Sequence, residues 1–168
     1  MSSLAAPTRL RLPDLLNTAD VFADAVLSGS FDHLLPTGGL PVGGRWFRRL
    51  HSEDELDVWL ISWAPGHATE LHDHAGSLGA LTVLSGALRE YRWDGKRLQG
   101  RRLEAGDQAA FPLGWVHDVT ADVPMVTETL SVHAYSPPLT AMSYYEVTAA
   151  QWLRRVRTEL TSEPEKTA

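Results

Sequence analysis

With 168 residues, 43% of them hydrophobic and 21% charged, the chain has the size and composition of one soluble domain with one core. Its formal net charge of −6 argues against nucleic acid or an anionic membrane as the main partner, since both demand a basic surface. The absence of cysteine excludes disulfides, zinc–thiolate sites, iron–sulfur clusters and thiol nucleophiles. Met1 to Leu16 has neither the apolar core nor the small-residue cleavage site of a signal peptide. No apolar run reaches transmembrane length, so a cytoplasmic location is the default expectation.

Residues 14–28 (DLLNTADVFADAVLS) repeat Leu15, Ala19, Phe22 and Val26 at helical spacing, with Gly29 as a stop. Pro13 and Thr18 leave open one helix or two short ones. Pro36 to Gly44 reads as a loop, closing an N-terminal segment of residues 1–44. From Arg45 to about Val147 short apolar, β-branched and aromatic runs alternate with turn signals. Strands are expected at Val58–Ala64, Ala80–Leu84, Ala87–Trp93, Gln108–Phe111, Val116–Thr120, Val126–Tyr135 and Ser143–Val147. Asp94-Gly95 is a hairpin turn between Trp93 and Leu98. The fold class is therefore all-β, a sandwich or barrel in one domain over residues 1–168. Thr148-Ala-Ala-Gln151 has the form of a capping box and predicts a C-terminal helix over 148–160, with Trp152, Leu153, Val156 and Leu160 on one side. The polar residues 161–168 predict a disordered tail.

Seven histidines stand at 33, 51, 67, 72, 74, 117 and 133. Strand residues two apart share a face, so His72 and His74 project together with Cα atoms ~7 Å apart. Two imidazoles so placed can converge on one ion, although two surface histidines at a strand end explain the pair equally well. His33 and His51 read as exposed loop residues, His67 as structural and Glu70 as a surface carboxylate.

The flanking spacing is more specific. Gly66 precedes His72-Asp73-His74 by five residues; Gly79 follows after four more and Gly86 after a further six. Gly106 precedes Pro112-Leu113-Gly114 by five, and His117 follows after two. This resembles the two motifs of the cupin superfamily, with Gly79 where a Glu is usual and Ala121 where an Asn is frequent. The resemblance implies a jelly-roll-like β-barrel in which the Pro112–Gly114 bend returns His117 over the first pair. Three neutral imidazoles without the Glu leave a bound dication its full charge, which favours an anionic ligand such as a thiolate. Imidazole suits zinc, copper and nickel as well as iron.

In VTETLSVHAY, Ser131, His133 and Tyr135 share one strand face. Periodicity alone favours a half-exposed strand with these polar residues outward. The run Ser131 to Pro138, after HDHAGS and PLGWVHDV, is similar to the cysteine dioxygenase family, from about Arg45 to Val147. That resemblance implies iron(II) on His72, His74 and His117. It implies a Ser131–His133–Tyr135 hydrogen-bond chain beside the metal, and a carboxylate-binding arginine at Arg48 in RWFRRL, with Arg45 and Arg49 as alternatives. Trp46 and Arg48 share one strand face, which fits Arg48. The cysteine that crosslinks the tyrosine in mammalian members falls on Gly79, so the crosslink cannot form, and no Gln replaces the arginine. The implied activity is oxidation of L-cysteine by dioxygen to cysteine sulfinic acid, with the thiolate and amine on the metal and the carboxylate on Arg48. The alternatives are a dioxygenase for 3-mercaptopropionate or another small thiol, and a non-catalytic metal- or ligand-binding cupin. The expected partners are a small thiol and dioxygen, with no nucleic acid and no membrane; the sequence leaves the oligomeric state open, a monomer included.

Overall fold

The computed structural model describes residues 9–122 and 128–164. Among the described residues one α-helix, α1 (Leu12–Leu27), and a short 3-10 turn (Asp32–Leu34) precede eleven strands. These are β1 (Trp46–Glu53), β2 (Leu56–Trp63), β3 (His72–Asp73), β4 (Leu78–Ser85), β5 (Ala87–Trp93), β6 (Leu98–Glu104), β7 (Gln108–Phe111), β8 (His117–Ala121), β9 (Thr129–Ser136), β10 (Ala141–Val147) and β11 (Leu153–Leu160). Pro13 sits in the first turn of α1, where its missing N–H costs nothing. The Arg11 N–H donates to Asp14 Oδ2 at 2.8 Å, and Gly29 takes φ +87° just past the end, so the segment is a single helix.

The strands form two antiparallel sheets, ordered β1-β2-β9-β4-β7 and β11-β10-β3-β8-β5-β6. The chain is thus all-β with an N-terminal helix. α1 lays Leu15, Ala19 and Ala23 on Val58, Leu60, Ala80, Leu84, Val132 and Ala134, the outer face of the five-stranded sheet. The inner faces meet in a second core that includes Trp59, Trp63, Leu81, Phe111 and Tyr135 on one side and Leu88, Val119, Met142 and Tyr144 on the other. The Asp94-Gly95 hairpin forms as expected: Asp94 Oδ1 accepts the N–H groups of Lys96 and Arg97 at 2.8 and 2.9 Å, and Gly95 takes φ +101°.

Two expectations are corrected. The helix expected over 148–160 is a turn followed by β11, which pairs with β10 from Ala141↔Leu160 to Val147↔Leu153. The Thr148–Gln151 segment reverses the chain instead of opening a helix. Gln151 stands at φ +61° with its N–H on the Thr148 carbonyl, and the Thr148 N–H bonds the Trp152 carbonyl at 2.8 Å. An open β10 edge offers a full ladder of backbone partners, whereas an isolated helix this short gains little in water. The apolar stripe had nothing to pack on: Trp152, Val156 and Leu160 are exposed. Likewise His51, expected in a loop, lies on β1, half-buried, with Glu53 Oε1 2.9 Å from its Nε2 and the Phe22 ring 5.5 Å away. Val126 and Thr127 of the expected 126–135 strand, and residues 165–168 of the expected tail, lie outside the described residues.

Candidate metal centre and adjoining hydrogen-bond chain

β3 is only two residues long, and its register pairs His72 directly with His117 at the head of β8. Just past β3, Ala75 adopts φ +50° with its N–H on Asp73 Oδ1 at 3.0 Å, which turns the chain after His74. The Pro112–Gly114 bend has Gly114 at φ +77° and a Trp115 N–H to Pro112 C=O bond of 3.1 Å, and it delivers His117 to β8. The alternating Asp73 instead accepts the Tyr145 hydroxyl at 2.6 Å.

His72, His74 and His117 are all buried and each brings one ring nitrogen within 4.8 Å of the others. His72 Nδ1 donates to the Glu70 carbonyl at 2.7 Å. His117 Nδ1 lies 2.7 Å from Glu90 Oε2. Both bonds hold the proton on Nδ1 and leave the Nε2 lone pair for a ligand. His117 Nε2 is buried with no hydrogen-bond partner among the described residues. Burial, only partly offset by the Glu90 bond and reinforced by His72 and His74, pushes the His117 pKa down to about 4, so the ring is neutral at neutral pH. Three buried neutral imidazoles, one with an unsatisfied lone pair, fit a divalent transition metal.

Ser131, His133 and Tyr135 are completely buried on β9. Ser131 Oγ lies 2.8 Å from His133 Nε2, and His133 Nδ1 lies 3.1 Å from the Tyr135 hydroxyl. Trp63 Nε1 donates to Ser131 Oγ at 2.9 Å. An indole only donates, so Ser131 Oγ accepts from Trp63, and the tautomer of His133 sets the remaining directions: with the proton on Nδ1, Ser131 donates to Nε2 and His133 donates to the Tyr135 oxygen. Tyr135 then accepts from His133 and keeps its own proton to donate. Its ring stands 5.0 Å from that of His74, which joins the chain to the histidine cluster. The outward reading suggested by periodicity fails because β9 is covered on both faces: α1 covers Val132 and Ala134, and the opposite sheet covers Ser131, His133 and Tyr135.

Arg48 is exposed and stands opposite Leu60, on the α1 side of the sheet. Trp46 and Arg48 do share a face, but it is the outer one, because Trp46 and Leu50 pack under α1 while Phe47 joins the inner core. Arg49 stacks over Trp59 and pairs with Asp57 at 3.7 Å. Arg45 lies with its guanidinium 4.9 Å from the Trp63 ring and 5.7 Å from that of Phe47, and its Nε and Nη2 are buried. Gly79 lies against the tyrosine: a Cβ there would meet Phe111 Cδ2 at 2.9 Å and Tyr135 Cε1 at 3.1 Å.

Glu90 and Trp63 were not singled out from the sequence. Glu90 had a signal: it sits in phase with Leu88 on the inward face of β5, an acidic residue where an apolar one is expected. Trp63 had none beyond its place in a strand.

A family model described as Cysteine dioxygenase type I matches residues 44–148. Cysteine dioxygenase type 1 from Danio rerio is 31% identical over 107 residues, covering 56% of this chain and 52% of that protein, so the match spans about half of the relative's length. Among solved structures, KdgF from Halomonas sp. is similar at TM-score 0.49 and 21% identity, over 56% of this chain and 81% of that one. A conserved protein with a double-stranded β-helix domain from Klebsiella pneumoniae is similar at TM-score 0.48 and 23% identity, over 63% and 80% of the two chains.

Proposed function

The chain belongs to the cysteine dioxygenase type I family, and from that premise we propose that it is an iron(II)-dependent thiol dioxygenase acting on L-cysteine. The observation that carries the reading is the Ser131–His133–Tyr135 chain set beside the three-histidine cluster, with the Tyr135 and His74 rings 5.0 Å apart. A binding pocket needs no such chain; a reaction that must place a proton beside a metal does. His72, His74 and His117 would hold the metal, which when bound supplies dioxygen activation and acidifies a coordinating thiol.

The protein's own groups then divide the remaining work. Arg45, rather than Arg48, is proposed to pair with the substrate carboxylate. Arg45 and Arg49 both lie on the Phe47 side of β1, and Arg45 is the one whose guanidinium lies over Trp63, the residue that donates to Ser131. A guanidinium offers a carboxylate two parallel hydrogen bonds and so fixes orientation as well as position. Tyr135, oriented by His133 and Ser131, donates its hydroxyl proton toward the reacting groups. Phe111, Trp59 and Trp63 wall the inner core and exclude water. Cysteine matches this layout because its thiol and amine can face the metal while its carboxylate faces Arg45. The net change adds both atoms of dioxygen to sulfur and gives a sulfinic acid.

The test is oxygen uptake by iron-loaded protein with L-cysteine, 3-mercaptopropionate and cysteamine side by side. L-Cysteine should give the highest kcat/KM, with close to one dioxygen consumed per cysteine. A tenfold advantage for 3-mercaptopropionate would overturn the substrate assignment, and no uptake with any thiol would overturn the activity. Replacing His72, His74 or His117 by Ala should abolish both iron binding and uptake.

A further inference from the structure

We propose that Glu90 is a positioning residue that supplies to the metal centre, through His117, the negative charge that Gly79 withholds. The inference rests on the reading that the three histidines hold a metal. Glu90 is 1% exposed, yet three donors converge on its carboxylate. His117 Nδ1 lies 2.7 Å from Oε2, Arg101 Nε 2.6 Å from Oε1, and Trp115 Nε1 3.4 Å from Oε2. The fold fixes this geometry. β5 lies between β8 and β6, and its register sets Glu90 opposite Val119 on β8 and Arg101 on β6. The carboxylate therefore reaches the far side of the His117 ring from the metal-facing nitrogen. Three N–H donors meet its two oxygens, so hydrogen bonds offset the cost of burying the carboxylate.

The other side of the centre shows why this matters. A carboxylate at position 79 would have to displace Phe111 and Tyr135, which crowd the site of its Cβ. His72 leans on a neutral carbonyl, that of Glu70. Glu90 is thus a carboxylate that touches a ring nitrogen of the cluster. A carboxylate accepting Nδ1–H makes the imidazole a more basic donor and places partial negative charge one ring away from the ion. It does so without occupying a coordination position. Arg101, which is 43% exposed, anchors the carboxylate and draws off part of its charge.

The test uses Glu90→Gln, which keeps the shape and an acceptor oxygen but removes the charge, with Arg101→Gln as its counterpart. The readouts are iron(II) and cobalt(II) affinity by chelator competition, the iron(III)/iron(II) midpoint potential and the melting temperature of the metal-free protein. Glu90→Gln should weaken metal binding by roughly 10- to 100-fold and shift the potential positive, because the oxidised ion loses more from a missing negative charge. Arg101→Gln, which leaves the carboxylate in place, should bind metal at least as tightly as the wild type. A Glu90→Gln protein with altered melting but wild-type affinity and potential would reduce Glu90 to a structural role and overturn the proposal. Equal weakening in Arg101→Gln would also overturn it, since packing and not charge would then be responsible. Wild-type protein that binds neither ion would overturn the metal reading itself, and this inference with it.

Discussion

The two sheets carry different halves of the site and are built differently. The five-stranded sheet holds the Ser131–His133–Tyr135 chain, Trp63 and Gly79, and α1 covers its outer face. β9, buried on both sides, must therefore keep one register, since a slip by one residue would bury the wrong set of side chains under the helix. The six-stranded sheet holds His72, His117 and Glu90, and its edge strand β6 is open enough for the half-exposed Arg101 to reach Glu90 across the ladder. Its strand β3, which carries His72, is two residues long and contributes one pairing with β8. Under the proposed function, the sheet fixed by α1 would orient a proton, whereas the two-residue β3 would rely on a bound ion and on the hydrogen bonds behind His72 and His117 to hold its ligands together.

Four substitutions on or beside the covered sheet would break or sharpen that contrast. Arg45→Ala should cost roughly 2–5 kcal/mol in kcat/KM for L-cysteine and far less for cysteamine, which lacks a carboxylate. Arg48→Ala, on the outer face, should stay within about 0.5 kcal/mol of the wild type in stability and turn over normally. Steady-state kinetics on both thiols decides between the two arginines, and equal losses on both substrates would remove Arg45 from the carboxylate role. Next in size, Tyr135→Phe should retain metal and lose about 10- to 1000-fold in kcat, the range for one positioned acid or donor. Metal content and single-turnover rates would show it, and wild-type turnover would make the hydroxyl a bystander. The smallest loss expected at the site itself is one of stability. Gly79→Ala forces a methyl group to 2.9 Å from Phe111 and 3.1 Å from the Tyr135 ring, so unfolding in urea should show a loss of about 1–3 kcal/mol. An unperturbed Gly79→Ala protein would mean that the tyrosine has room to move, against the rigidity assigned to this sheet.

Much of the strand pattern was legible because it depends on local signals. Ala87–Trp93 and Gln108–Phe111 are found as expected, and the other expected strands shift by a few residues at their ends. β3 was not legible as a strand, because two residues carry no periodicity; its histidines were found through motif spacing instead. The C-terminal segment misled for a reason of the same kind. Leu153, Val156 and Leu160 satisfy a helical stripe, but the competing partner was the open edge of β10, which no local pattern reveals.

The arginine shows the limit most sharply. Strand alternation correctly groups Trp46 with Arg48, yet alternation never says which face is the inner one. That choice was made by α1, which takes Trp46 and Leu50 beneath it and so turns Phe47 and Arg45 the other way. By itself the sequence determined the all-β character, the hairpin at Asp94-Gly95 and the grouping of His72, His74 and His117, because turn chemistry, period-two patterning and fixed motif spacing act over short stretches of chain. Only the tertiary structure decided which face of β1 looks inward, that β9 is dry on both sides, that residues 153–160 complete a sheet, and that Glu90 stands behind His117. Each of these depends on which distant element covers a surface, and burial between elements is settled by packing the whole chain.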